Sequence, residues 1–132
     1  DRARLDAQAS TAAGVTEPGI ATGGLTEDEA AGEGFEPAVG QMPFNAAGRA
    51  LTTGHTEGFA RIVADEETGF VLGGQIVGPE ASELIAEVAL AIEMGATLED
   101  VAATVHTHPT LAEAVMEAAE NARGQAIHTL NR

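Results

Sequence analysis

His108-Pro109-Thr110-Leu111-Ala112-Glu113 is the stretch of this sequence best equipped for chemistry. A carboxylate that accepts one imidazole N–H fixes the tautomer and raises the basicity of the other nitrogen, so a histidine and a glutamate within reach form a proton-transfer pair. Pro109 stops a helix from continuing backwards, which puts His108 at the mouth of the helix that follows and Glu113 about a turn inside it. Spacing alone leaves a second reading open, in which Glu113 is a solvated helix-face residue in line with Glu117 and Glu120. The pair is also only half of a reaction, because no nucleophile or redox group accompanies it. One domain of a larger enzyme, lending its histidine to a site built mostly elsewhere, fits that imbalance.

Other candidate groups are sparse. His106-Thr107-His108 has the spacing of two metal ligands, but no third convergent ligand is evident in the sequence, and no metal is expected. His55 and His128 are isolated and read as surface or interface residues. The two serines, Ser10 and Ser82, lie outside any nucleophile-elbow pattern. Neither G-x-G-x-x-G nor a P-loop occurs, so no cofactor-binding segment is expected in this chain. With zero cysteines, a disulfide framework, thiolate catalysis and a thiolate metal site are excluded within it.

Charge narrows the partners. Six basic residues face 21 acidic ones, a formal charge of −15. Phosphate neutralisation needs clustered Lys or Arg, so nucleic acid is excluded as a partner. All the basic residues are Arg, with no Lys. An acidic, lysine-free, Ala- and Gly-rich surface stays hydrated where salt screens charge within a few ångströms, which points to a halophilic cytoplasm. The plainer alternative is that the acidity serves solubility alone. No apolar run approaches a membrane span, and Asp1-Arg2-Ala3-Arg4-Leu5-Asp6 lacks the apolar core of a signal peptide, so a soluble, cytoplasmic, unsecreted chain is expected.

The elements that must position His108 read as one domain over residues 16–132, after a lead-in over 1–15. Residues 19–25 form a weak strand, and Thr26 caps a short acidic helix that Gly32 or Gly34 ends. Phe35 to Phe44 is extended, and Pro37 and Pro43 assign it to an edge or bend. Asn45 to Gly54 reads as a loop. Residues 58–64 and 70–77 form a hairpin around Asp65-Glu66-Glu67-Thr68-Gly69. Pro79 opens a helix to about Met94, with Ile85, Val88, Ala89 and Ile92 at core spacing and acidic residues on the remaining surface. Thr97 caps a short helix. The last helix begins near Pro109, carries Leu111, Ala114, Val115, Ala118 and Ala122 inward, and runs out into a tail from Gly124. Hairpins followed by helices predict an α+β fold, an antiparallel sheet with helices packed on one face.

From about Thr16 onward the chain resembles the C-terminal interface (dimerisation) domain of the pyridine nucleotide-disulfide oxidoreductases, in their dihydrolipoyl dehydrogenase branch. The resemblance rests on Gly48-Arg49-Ala50-Leu51, Gly54-His55-Thr56-Glu57-Gly58-Phe59, Leu72-Gly73-Gly74-Gln75-Ile76-Val77-Gly78, Ala81-Ser82-Glu83-Leu84-Ile85 and His106-Thr107-His108-Pro109-Thr110-Leu111-Ala112-Glu113. Glutathione reductase-like members follow His-Pro-Thr with serines, and mercuric reductase-like members carry C-terminal cysteines, so both fit less well. The resemblance implies that His108 is a general acid/base oriented by Glu113 and inserted into the partner subunit's active site. There it deprotonates a dihydrolipoyl thiol, and electrons pass through a redox disulfide to FAD and NAD. It further implies a homodimer, a cis His108-Pro109 bond, and docking of the peripheral subunit-binding domain of a dihydrolipoyl acyltransferase on the paired domains.

The departures from that pattern are specific. Ala13-Gly14-Val15-Thr16 stands where the family has a bulky first strand, Gly19 and Gly23 replace larger residues, and Arg123 replaces an apolar one. The FAD domain, the NAD domain and the cysteine pair have no counterpart in this sequence. Two functional readings therefore compete: an enzyme domain that supplies His108 and Glu113 in trans, or a homodimerising structural module, engineered or stand-alone, with no activity of its own.

Overall fold

The computed structural model describes residues 11–14, 19–49, 54 and 57–124. Five strands form one fully antiparallel sheet: β1 (Thr11–Gly14), β2 (Gly19–Gly24), β3 (Pro37–Pro43), β4 (Phe59–Asp65) and β5 (Val71–Gly78), in the order β1-β2-β5-β4-β3. The helices are α1 (Glu27–Gly32), α2 (Ala81–Glu93), α3 (Leu98–Ala103) and α4 (Glu113–Ala122). The first strand lies within the segment expected as a lead-in, because Thr11 to Gly14 pair in register with Gly23 to Ile20. The segment after β3, expected as a loop, opens with a 3₁₀ turn at Phe44–Ala46 and is helical at Gly48 and Arg49.

The central β4–β5 hairpin turns where its loop chemistry requires. The Asp65 carboxylate accepts from the Thr68 hydroxyl at 2.8 Å and the Glu67 N–H at 3.3 Å, and Gly69 closes the turn at φ +79°, a conformation open to glycine. A register shift between Val63 and Ala64 then splits the hairpin between two cores. Ala60, Ile62, Ala64, Val71 and Ile76 face the main core with α2, α3 and α4. Val63 and Leu72 fall on the opposite face and meet Leu25 and Ala30 in a small second cluster beneath α1. The three C-terminal helices therefore share one face, as expected, and the short helix α1 covers part of the other.

Alanine makes much of the core, so helices can approach closely. A Cβ built on Gly40 of β3 would lie 1.9 Å from the Ala118 carbonyl oxygen and 2.4 Å from the Ala122 nitrogen, so α4 presses its backbone on this strand. The Asn121 side-chain oxygen accepts the Gln41 N–H at 2.9 Å, adding a polar tie between α4 and the edge strand. Pro37 and Pro43 bound that edge, which blunts it against further pairing.

Two helix starts match their sequence signals in atomic detail. Thr26 with Glu29, and Thr97 with Asp100, form reciprocal capping boxes. Two others are later than expected. Helix α2 begins at Ala81 rather than Pro79, because Glu80 adopts a left-handed conformation at φ 58°. Helix α4 begins at Glu113 rather than near Pro109: the chain bends at His108 and Pro109, Thr110 Oγ1 donates back to the Thr107 carbonyl at 2.7 Å, and a turn at Leu111 and Ala112 leads into the helix. Glu113 is thus the first residue of α4, not one turn inside it. Among the described residues no helix is long and apolar enough to cross a membrane. The expected surface histidines His55 and His128, and the tail beyond Gly124, lie outside the described residues.

Candidate functional site

The turn before α4 brings His108 and Glu113 together. His108 Nδ1–H donates to both carboxylate oxygens of Glu113 at 3.0 Å, and the bond between His108 and Pro109 is cis. Glu113 also accepts the Thr110 N–H at 2.9 Å, a free donor ahead of the helix that a first-turn carboxylate is suited to satisfy. Burial acts to raise the Glu113 pKa. The Thr110 N–H, the His108 hydrogen bond and the nearby His108 and His106 outweigh it and hold the carboxyl below its ordinary 4.5. The alternative of a solvated acidic helix face does not hold, because Glu117 is only 4% exposed and the Glu113 side chain 22%.

The two members of the pair differ in exposure. The His108 side chain is 75% exposed, whereas its carboxylate partner is largely covered. With Nδ1–H committed to Glu113, Nε2 carries the lone pair and is open to solvent. Beside the ring lies a cavity of about 200 Å³ whose walls include Met42, Ala46, Ala47, Ala114, Glu113 and Glu117. The arrangement can accept a proton from an incoming group at Nε2 while the carboxylate stabilises the imidazolium that forms.

His106 is no candidate ligand. Its side chain is 6% exposed, its Nδ1 lies 2.8 Å from the Thr104 carbonyl oxygen and its Nε2 lies 2.9 Å from both oxygens of Glu87. Both ring nitrogens are thus occupied, and among the described residues no group of three His, Asp or Glu side chains converges as a metal site. The sequence did not signal the His106–Glu87 pair: Glu87 reads there as one more acid on the outer surface of α2. Its one available hint is its position at the rim of the apolar arc, next to buried Val88.

Comparison with known proteins agrees with the fold. The family model described as pyridine nucleotide-disulphide oxidoreductase, dimerisation domain, matches residues 10–119. Dihydrolipoyl dehydrogenase of Haloferax volcanii is 76% identical over 128 residues, and that of Halobacterium salinarum 72% identical over 130 residues; the matches cover 97% and 98% of this chain. Both relatives come from halophiles, in line with the acidic, lysine-free composition. The chain spans 27% of the length of each. Among solved structures, LpdA from Mycobacterium tuberculosis superposes with a TM-score of 0.80 at 30% identity, over 86% of this chain and 25% of that one. RclA, a flavoprotein disulfide reductase from Escherichia coli, shares the fold at a TM-score of 0.79 and 22% identity, over 84% of this chain and 26% of that one. An antiparallel sheet backed by three helices, a His-Glu pair at the mouth of the last helix, and a family match over most of the sequence lead to one assignment: the chain belongs to the dimerisation domains of the pyridine nucleotide-disulphide oxidoreductases.

Proposed function

We propose that this chain serves as the C-terminal dimerisation domain of a dihydrolipoyl dehydrogenase-like flavoprotein disulfide reductase, in which each copy lends His108 and Glu113 as a general acid/base pair to the partner subunit's active site. The observation that carries this reading is the exposed His108 ring with its Nδ1 held by a covered carboxylate. Nε2 takes the proton of a dihydrolipoyl thiol: the S–H bond breaks, an N–H bond forms and a thiolate remains. Glu113 stays ionised, stabilises the imidazolium and keeps the ring in the orientation from which the proton is later returned. Imidazole suits this task because it exchanges protons near neutral pH.

The chain has no cysteine, so the disulfide that a thiolate would attack belongs to other parts of a longer protein. FAD and NAD, which the family uses, supply the redox chemistry when bound. The clefts beside the hairpin loop do not suit a dinucleotide: they are walled by Glu36, Asp65, Glu66, Glu67 and Glu99, carboxylates that repel a pyrophosphate, with Arg123 beside them on one wall.

In this reading the homodimer is isologous and uses the last helix; the tail through Ile127, expected in the same contact, lies outside the described residues. Exposed apolar residues at the end of α2 and in the loop before α4 offer contact surface outside the last helix: Leu90 is 61% exposed, Met94 66% and Val105 94%. The paired domains offer an acidic docking surface to the basic peripheral subunit-binding domain of a dihydrolipoyl acyltransferase, in the cytoplasm. The missing cysteine favours a second reading for the chain on its own, a homodimerising structural module without activity.

Two experiments separate these readings. Light scattering with circular dichroism, from low to multimolar salt, is expected to give a folded dimer whose stability rises with salt; a folded monomer at every salt concentration refutes the dimer. In a holoenzyme where this chain replaces the matching segment of the Haloferax volcanii relative, His108→Gln is expected to lower dihydrolipoamide oxidation by about 10²- to 10⁴-fold with flavin content unchanged. Full activity in that variant refutes the acid/base assignment.

A further inference from the structure

We infer that His106 and Glu87 are positioning residues for His108, a strap that fixes the loop carrying the general acid/base to helix α2; this rests on the proposed role of His108. Between α3 and α4 the chain from Ala103 to Pro109 is exposed at every residue except His106. Hydrogen bonds elsewhere in this stretch are local: the Thr104 hydroxyl donates to the Asp100 carbonyl, the Thr110 hydroxyl to the Thr107 carbonyl, and His108 to Glu113. His106 to Glu87 spans 19 residues and is the long-range side-chain hydrogen bond that this stretch makes among the described residues.

The geometry of the strap is well suited to holding a loop. Glu87 presents both carboxylate oxygens at 2.9 Å to Nε2, and the Thr104 carbonyl oxygen lies 2.8 Å from Nδ1. Both partners are acceptors, so a neutral ring satisfies one and a doubly protonated ring satisfies both, with a charge-assisted bond to the carboxylate. The ring is thereby fixed at both ends, once to its own backbone and once to a 13-residue helix packed on the sheet. Two residues further on, His108 bonds to Glu113 alone among the described residues, and Glu113 sits on α4. The relation of α2 to α4 is set by the sheet beneath them, and His106 transmits it to the loop. A general base displaced by about 1 Å loses on the order of 10²-fold in rate, so such a strap controls turnover without touching the substrate.

The test uses the same chimeric holoenzyme. Glu87 is 34% exposed, so its replacement opens no enclosed cavity. Glu87→Ala is expected to lower kcat about tenfold or more with KM for dihydrolipoamide within about twofold. Glu87→Gln, whose amide oxygen still accepts the Nε2–H, is expected to restore kcat to within about threefold of the parent. Imidazole ¹⁵N spectra of this chain carrying Glu87→Ala should show the His106 signals losing their hydrogen-bonded shifts and the His108 signals broadening. If His108→Gln abolishes turnover while Glu87→Ala leaves kcat unchanged, the strap is refuted and the acid/base assignment stands. Should His108→Gln itself leave turnover intact, the assignment on which the strap depends falls. A Glu87→Ala enzyme that loses flavin or dimer in proportion to kcat, with no rescue by Gln, also refutes positioning and marks the pair as merely structural.

Discussion

Two His-Glu pairs stand side by side in this molecule, built from histidines two positions apart, and they have opposite characters. The His106 side chain is covered, with one ring nitrogen against the Thr104 carbonyl and the other against Glu87 of α2; the His108 side chain is three-quarters exposed, with one ring nitrogen bonded to Glu113 of α4. The first pair has its reactive positions occupied and can only hold. The second has one nitrogen committed and one open, the condition for moving a proton. Residue type is the same in both, so the difference in capacity comes from how many ring atoms the fold leaves unused.

The sharpest way to break the comparison is to remove the platform on which one of the pairs stands. Gly40→Val places a side chain where the backbone of α4 now lies, and is expected to cost about 3 kcal/mol of stability by urea unfolding, with the His108–Glu113 contact at the mouth of α4 disturbed in ¹⁵N spectra and the His106–Glu87 contact, tied to α2, retained. Retention of full stability would mean that α4 does not bear on β3 as closely as described.

A smaller change should separate the pairs. Thr97→Ala removes the capping box of α3, the helix from which the His106 loop departs, and is expected to cost about 1 kcal/mol in a thermal melt. Its spectroscopic effect should fall on His106 and spare His108, whose partner is five residues away in sequence. Equal disturbance of both rings would contradict the division drawn between them.

The smallest effect isolates the local pair by pH. The Glu113 carboxyl titrates below 4.5 in the folded chain, so it binds its proton more readily in the unfolded state. Its contribution to stability is accordingly present above about pH 4.5 and is lost as pH falls through the lower folded value. Glu113→Gln should be less stable than the parent at pH 6, with the gap closing as the pH is lowered below 4 and narrowing in high salt, both measured by thermal melts. A gap that widens on acidification would reverse the sign assigned to this carboxylate.

Much of the scaffold is legible because its signals are local. Thr26 and Thr97 announce helix starts, Asp65 to Gly69 announces a turn, and Pro37 and Pro43 mark an edge strand, since in each case the residues that decide the conformation lie within four positions of one another. The strand at Thr11–Gly14 is harder to read. Small residues give no alternation of burial, and pairing with β2 alone makes it a strand. The start of α4 was displaced for a related reason. Pro109 is a sound signal that a helix cannot extend backwards, but the hydroxyl of Thr110 bonds back to Thr107 and its N–H to the Glu113 carboxylate, and the helix starts only at Glu113.

Composition, turn residues and capping signals fix the α+β class, the hairpin and the capped helices, and Pro109 and Glu113 mark His108 as the histidine to watch, but spacing leaves open whether Glu113 meets the ring or lies on a solvated helix face. The folded structure closes that choice with the bond from His108 to Glu113, and it decides which ring is covered: the packing of α2 across the sheet brings Glu87 to His106 and leaves His108 facing solvent. Burial and long-range hydrogen bonding depend on where distant elements come to rest, and that is fixed by the whole core rather than by any neighbouring residue.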